Sequence, residues 1–346
     1  MEYRNLGQTG LSVSALCLGT MTWGEQNSEA EAHGQMDLAL DNGINFFDTA
    51  ELYPIPPKAE TQGRTEEYIG SWLSDRKCRD RVVLASKVLG RSKNAWFRDD
   101  GSVARVSPAH IREAVEKSLK RLQTDYIDLY QVHWPDRPMK VMGTLEYEPM
   151  EGDHHSITET LGVLADLLGE GKVRALGVSN ESPWGTMNYL HASESKSLPR
   201  IATIQNAYSL VNRAFEVGLS EITHRDGVGL LAYSPLAQGY LTGKYENGAL
   251  PKGSRKALFN RADRYESPEG LKAISSYVAL AKKRGLDPAQ MALQFVTTRP
   301  FVVSTIMGAT SLQQLETNIT SISLVLDDDL LTEIEKIHRS SPNPCP

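Results

Sequence analysis

Short apolar runs alternate with stretches of helical spacing along almost the whole chain, and no other feature restricts its fold as much. A short run rich in aliphatic, β-branched and aromatic residues reads as a strand. Such runs lie at residues 15–19, around Phe46 and Phe47, and at 81–88, 126–134, 173–178, 202–206, 228–234 and 302–307. Helical spacing fills 28–40, 66–73, 107–122, 157–168, 184–191, 215–223 and 312–319, with two more helices between 269 and 298 that part at 285–288. Several ends are marked. Ser28 suits an N-cap, Asn42 and Gly43 a stop, and Ser107 followed by Pro108 a helix start. From there Ile111, Val115, Ser118, Leu119 and Leu122 form one stripe. Asp327, Asp328 and Asp329 open a last helix with acids at its positive end and Lys336 toward its negative end. Residues 3–14 read as a hairpin turning at 7–10, with Leu11 and Val13 alternating against Ser12 and Ser14.

Eight strands separated by helices make an α/β protein. The pattern fits a (β/α)8 barrel, one domain over residues 1–346; a doubly wound open sheet has the same periodicity. Against the open sheet, no Gly-x-Gly-x-x-Gly turn follows the first strand, because residues 19–24, Gly-Thr-Met-Thr-Trp-Gly, do not match it. Both architectures gather the carboxyl ends of the strands on one rim.

Three consecutive strands end on ionisable residues: Asp48, Lys87 and His133. Tyr53 follows Asp48 by five residues, just before a segment stiffened by Pro54, Pro56 and Pro57. Singly, each has an ordinary explanation. Asp48 can cap the next segment, Lys87 can snorkel to solvent, and His133 can be a satisfied core histidine. A buried carboxylate needs a partner, however, and three such strand ends on one rim point to a shared site.

Composition narrows the function classes. With 346 residues, 40% hydrophobic and 23% charged, the chain reads as an ordinary globular protein able to bury a large core. A net charge of −6 with mixed signs argues against nucleic acid as a partner. The basic cluster at 75–81 is interleaved with acids and reads as a solvated helix end. Cys17, Cys78 and Cys345 are odd in number and lack metal-ligand spacing, which favours a reducing compartment and no metal. No apolar run approaches a membrane span, and the N-terminus lacks a signal-peptide core. The expectation is a cytoplasmic protein with no membrane partner.

The run Asp48-Thr49-Ala50-Glu51-Leu52-Tyr53, with Lys87 after Ala85-Ser86 and His133-Trp134-Pro135 after Leu129-Tyr130-Gln131, resembles the aldo-keto reductase superfamily. Within it the chain is most similar to the bacterial Tas-type branch and more distantly to the potassium channel β-subunit branch. The resemblance covers nearly the whole chain. It implies the barrel rather than the open sheet, with the hairpin closing the bottom. It also implies NADP(H), not covalently bound, and a small carbonyl substrate reduced to an alcohol. Tyr53 would be the general acid, tuned by Lys87 and Asp48, with His133 orienting the carbonyl. A phenol of pKa near ~10 is a poor acid at neutral pH, so a neighbouring cation should lower it.

On the cofactor side the resemblance marks Gly19, Thr20 and Met21. It assigns Ser179, Asn180 and Gln205 to the nicotinamide carboxamide and Tyr233 to stacking on the ring. Ser234, Pro235, Leu236, Gly239, Leu241, Gly243 and Lys244 would fold over the pyrophosphate. Gly308, Thr310, Gln314 and Asn318 would take the adenosine end, where a helix N-terminus offers free amides to a phosphate. Two departures bear on cofactor choice. Thr317 stands where the channel-subunit branch has an acid, and residues 308–318 contain no Arg or Lys. A preference for NADP over NAD then needs a cation from elsewhere, with Arg255 or Arg261 the candidates. Trp23, Trp134 and Tyr147 are candidates for an apolar substrate pocket. Long connections at 89–106, 135–156 and 237–267 all follow strands, and connections of such length often serve as lids or binding loops. Two other functions fit the same residues: a nucleotide-binding regulatory subunit with little turnover, and a Schiff-base aldolase using Lys87.

Overall fold

The computed structural model describes residues 1–260 and 263–346. A two-stranded antiparallel hairpin comes first, β1 (Tyr3–Asn5) with β2 (Ser12–Ser14). Eight parallel strands follow: β3 (Leu16–Gly19), β4 (Phe46–Asp48), β5 (Val83–Val88), β6 (Ile127–Val132), β7 (Val173–Ser179), β8 (Ile201–Ala207), β9 (Gly229–Tyr233) and β10 (Val302–Met307). They pair in chain order, and β10 closes on β3 to make a barrel. Around it lie α1 (Glu29–Asp41), α2 (Arg64–Arg76), α3 (Pro108–Leu122), α4 (Ile157–Gly169), α5 (Pro183–Lys196), α6 (Leu219–Asp226), α7 (Arg255–Phe259), α8 (Pro268–Lys283), α9 (Pro288–Thr297), α10 (Leu312–Thr320) and α11 (Asp328–Ser340).

The helix starts behave as their capping residues require. The Ser28 hydroxyl accepts the amide of Glu31, whose carboxylate returns to the Ser28 amide, and Ser107 caps α3 ahead of Pro108. Two lengths of the barrel differ in character. Near the hairpin, Cys17, Phe46, Ala85, Leu129, Ala175, Leu231 and Ile306 fill it, plugged by Leu6 and Val13. One pleat further along, the inward positions become Asp48, Lys87, Gln131 and Gln205. The period of two along each strand therefore carries an apolar floor directly into a polar rim.

Some expected boundaries move. Residues 79–81 form a short turn, so β5 begins at Val83. The helix expected over 215–223 is broken, because Gly218 takes φ +88° and α6 starts only at Leu219. The basic cluster at 75–81 is not simply solvated. The Arg79 guanidinium donates to Asp128 at 2.7 Å and lies 3.9 Å from the Tyr126 ring centre.

Candidate active site

Asp48 ends β4, and the strand's geometry turns its side chain inward beneath the rim. Its neighbour across the β4–β5 ladder carries Lys87, and the two meet at 2.7 Å, with Lys87 0% and Asp48 2% exposed. Lys87 donates a second hydrogen bond to the Thr49 carbonyl at 2.7 Å. The other Asp48 oxygen accepts the Gln205 amide at 2.8 Å and that of Gln131 at 3.5 Å. The snorkelling explanation for Lys87 is thereby excluded. Burial alone would favour the neutral amine, but the Asp48 carboxylate and the Tyr53 phenol outweigh it and hold the Lys87 pKa above its ordinary value.

Past β4 the chain leaves the sheet and brings Tyr53 back over Lys87, whose ammonium lies 5.1 Å from the ring centre. His133, one residue beyond β6, meets the Tyr53 ring edge-on at 5.8 Å and 81°. Asp48, Lys87, Tyr53 and His133 are thus brought together. The expected lowering of the Tyr53 pKa does not hold as a net effect. Burial pushes the phenol up, Lys87 pulls it down, Asp48 pushes again, and the balance lies above the usual phenol value. Burial, followed by the Lys87 charge, holds His133 well below the ordinary imidazole value, so it is neutral at pH 7. Its Nδ1 has no hydrogen-bond partner among the described residues.

The cofactor candidates form a contiguous arc. Gly19 ends β3, and the Thr20 hydroxyl donates to the Asp48 carbonyl at 2.8 Å. The Met21 carbonyl accepts the amide of Ile55. Asn180 donates to the His133 carbonyl at 2.9 Å and to the Ser179 hydroxyl at 3.2 Å, and it accepts from the Tyr233 hydroxyl at 2.6 Å. Ser179 donates to the Gln205 carbonyl. After Tyr233 the chain turns sharply, with positive φ at Ser234, Ala237, Gln238, Gly239 and Gly243. Pro235, Leu236, Leu241 and Lys244 lie in this tight coil. A Cβ on Gly239 would stand 2.6 Å from the Lys244 side chain. At α10 the Ser311 hydroxyl accepts the Gln314 amide, while the Gln314 side chain accepts from Thr310. Asn318 donates to the Gly308 carbonyl at 3.3 Å. A dinucleotide fits this set: a helix N-terminus and a coil with close backbone approach face the same rim as the amide cluster.

Arg255 opens α7, and its guanidinium lies 3.8 Å from the Met21 sulfur. The Gln26 side chain donates to the Gly253 carbonyl at 2.8 Å. The 237–267 connection therefore folds back over the exit of β3. Arg261, the other candidate cation, lies outside the described residues.

The substrate-side candidates divide. Trp134 is half-buried, donates to the Arg91 carbonyl at 2.8 Å and packs with Tyr53 and Ile55 on an apolar patch of Ala50, Leu52, Leu89, Phe97 and Ala104. Trp23 is fully buried in the main core, and its indole donates to Gln35. Tyr147 is 80% exposed and so forms no enclosed wall. The 135–156 connection is cinched at its base: Arg105 grips Asp136 at 2.8 and 2.9 Å, and Asp136 also accepts the His155 amide at 2.8 Å.

Residues 15–339 match the family model described as the aldo/keto reductase family. The chain belongs to that family. It is 52% identical to "Protein tas" of Escherichia coli (strain K12) over the full length of both proteins. It is 35% identical to the "Uncharacterized oxidoreductase YrpG" of Bacillus subtilis (strain 168), covering 97% of this chain and 96% of that one. At 31% identity it also matches a "Probable voltage-gated potassium channel subunit beta" of Arabidopsis thaliana, covering 99% and 98%. In this family member, sequence reading left two parts of the site unassigned. Gln131 shares the inward face with Leu129 and His133, so the period of two was sufficient to place it. Glu51, inside the quoted run, forms a buried ion pair with Arg98 that no local pattern announces. Among the described residues, no helix is long and apolar enough to cross a membrane, and no cluster of three or more His, Cys, Asp or Glu is arranged to hold a metal.

Proposed function

We propose that the protein is an NADPH-dependent carbonyl reductase acting on aldehydes or ketones. The observation carrying this reading is the buried Lys87–Asp48 pair directly beneath a partly exposed Tyr53, with neutral His133 edge-on to the phenol. NADPH, when bound, supplies the hydride. Tyr53 gives its proton to the carbonyl oxygen, and the Lys87 ammonium stabilises the phenolate left behind. Asp48 holds Lys87 in place and keeps it charged. His133, neutral, has one N–H to donate to the same carbonyl oxygen. Ser179, Asn180, Gln205 and Tyr233 would hold the nicotinamide end. The 234–244 coil and the start of α10 would hold the phosphates, with Arg255 near the β3 exit as the cation for a 2′-phosphate. The 135–156 connection, which leaves the strand of His133, would cover the substrate beside Trp134.

A Schiff-base role for Lys87 is disfavoured, because its raised pKa leaves it protonated and a poor nucleophile. The test is NADPH consumption with a broad aldehyde panel, for the native protein and for Tyr53→Phe. The reading requires turnover by the first, its near loss in the second, and similar NADPH dissociation constants for both. A Tyr53→Phe protein that keeps most of its kcat would remove the phenol from the acid role.

A further inference from the structure

The 48–53 segment contains a second carboxylate besides Asp48. Glu51 is 1% exposed and faces Arg98, itself 3% exposed, in a two-pronged pair with both N–O distances 2.9 Å. One Glu51 oxygen also accepts the Leu89 amide at 2.6 Å. Leu89 lies two residues past Lys87, and Glu51 lies two before Tyr53. The Glu51 amide donates to the Lys87 carbonyl at 3.3 Å, so backbone and side chain both tie the Tyr53 segment to the end of the Lys87 strand. Arg98 belongs to the 89–106 connection, whose Arg91 carbonyl accepts the Trp134 indole and whose Arg105 cinches the 135–156 connection.

A buried ion pair is a poor source of stability. Removing two charges from water costs several kcal/mol per ion, and apolar replacements are often neutral or stabilising. This pair is also imperfectly satisfied. The Arg98 Nε and the hydroxyl of the adjacent, wholly buried Tyr130 have no partner among the described residues. Among the described residues, neither the Glu51 nor the Arg98 side chain hydrogen-bonds Tyr53, Lys87 or His133. What the pair does is geometric, since a planar fork on a carboxylate fixes distance and orientation together.

We propose that Glu51 and Arg98 are positioning residues: their ion pair locks the 48–53 segment to the 89–106 connection and so sets where Tyr53 stands against Lys87. The proposal rests on the catalytic reading above for its kinetic consequences, though not for its geometry. Arg98→Met alone leaves a buried carboxylate uncompensated and would destabilise the fold. The informative variant is Arg98→Met combined with Glu51→Gln, which removes both charges and keeps an acceptor for Leu89. It should melt close to the native protein and bind NADPH equally well, while kcat for aldehyde reduction falls roughly ten- to hundredfold, as misplacement by about 1 Å can produce. KM should change little, and Arg98→Lys alone should recover part of the loss.

A second readout needs no turnover. With 3-fluorotyrosine at position 53, fluorine NMR follows the phenol titration directly. Among the described residues, Lys87, Asp48, Arg255, His133 and Tyr233 are the ionisable groups coupled to that phenol or packed against it, and the double variant alters none of them. If the pair holds Tyr53 near Lys87, the titration moves to higher pH when the pair is removed. A double variant with native kcat and an unmoved titration overturns the proposal. A double variant that does not fold makes the pair a stability element and overturns it too. If the native protein reduces no aldehyde, the catalytic reading fails, and the fluorine titration alone decides the positioning role.

Discussion

Replacing Lys87 by methionine tests the electrostatics of the site most directly. The Lys87 ammonium stands 5.1 Å from the centre of the Tyr53 ring and is fully buried. At an effective dielectric constant of about 20, a unit charge at that distance stabilises a phenolate by about 3 kcal/mol, or about 2 pKa units. The group it would act on already titrates above the ordinary phenol value, so losing Lys87 drives it further up. The cleanest assay is the reverse reaction, alcohol oxidation with NADP+, where Tyr53 must serve as a base and the rate rises with phenolate. The rising limb of its pH profile should shift upward by about 2 units, with a rate loss on the order of a hundredfold below it. Folding must be controlled, because Asp48 would be left buried without its cation at a cost of about 3–5 kcal/mol. The double variant Lys87→Met with Asp48→Asn removes that charge and should recover stability; its profile should stay shifted upward, by less than in Lys87→Met because Asp48 itself pushes the phenol up. A profile whose rising limb stays at its native pH, in a well-folded double variant, would refute the assignment of Lys87 as the tuning cation.

Three further outcomes are expected. His133 is held neutral well below the ordinary imidazole range, while in the unfolded chain it takes up a proton near pH ~6.5. Its contribution to stability is therefore present above that pH and lost as pH falls through it toward the lower folded value; His133→Gln should flatten this part of the urea-unfolding profile. Arg255→Ala should weaken NADPH binding more than NADH binding, read by tryptophan fluorescence titration; equal weakening of both would place the 2′-phosphate elsewhere. Replacing residues 139–153 by a short Gly/Ser linker should change KM and the ranking of aldehydes while leaving the NADPH dissociation constant unmoved, and identical KM values across the panel would exclude a substrate role for the loop.

How much of this was legible in the sequence depends on the range of the interaction concerned. The barrel was readable because each βα unit writes its own period, and the helix caps at Ser28 and Ser107 are set within four residues. Asp48, Lys87 and His133 were readable because strand ends in such a fold share a rim. The boundaries that failed were decided by backbone strain or by tertiary partners. Gly218 broke a helix whose apolar spacing continued through it, and Arg79 left a solvated-looking cluster to pair with Asp128 of β6. The burial of Trp23 and Tyr147 was illegible for a related reason. An aromatic near a rim carries no local mark of whether it faces the core, as Trp23 does, or the solvent, as Tyr147 does. The net pKa of Tyr53 was beyond sequence reasoning as well, since it balances burial against two opposite charges whose distances only the fold sets.

The two halves of the site also differ in what they have left to offer, and counting donors makes the difference concrete. Both N–H groups of the Asn180 amide are taken, by the His133 carbonyl and the Ser179 hydroxyl, and among the described residues its oxygen accepts only from Tyr233. The Ser179 hydroxyl gives its hydrogen to the Gln205 carbonyl. The Gln205 amide nitrogen serves Asp48 at 2.8 Å and Gln131 at 3.4 Å. Each of these side chains has spent its donors, yet Asn180 Oδ1 keeps a second lone pair. The cluster therefore presents acceptors, the complement that the N–H2 group of a carboxamide would need. Asn180 also binds the carbonyl of His133, so one buried amide joins the cluster to the residue edge-on to the phenol.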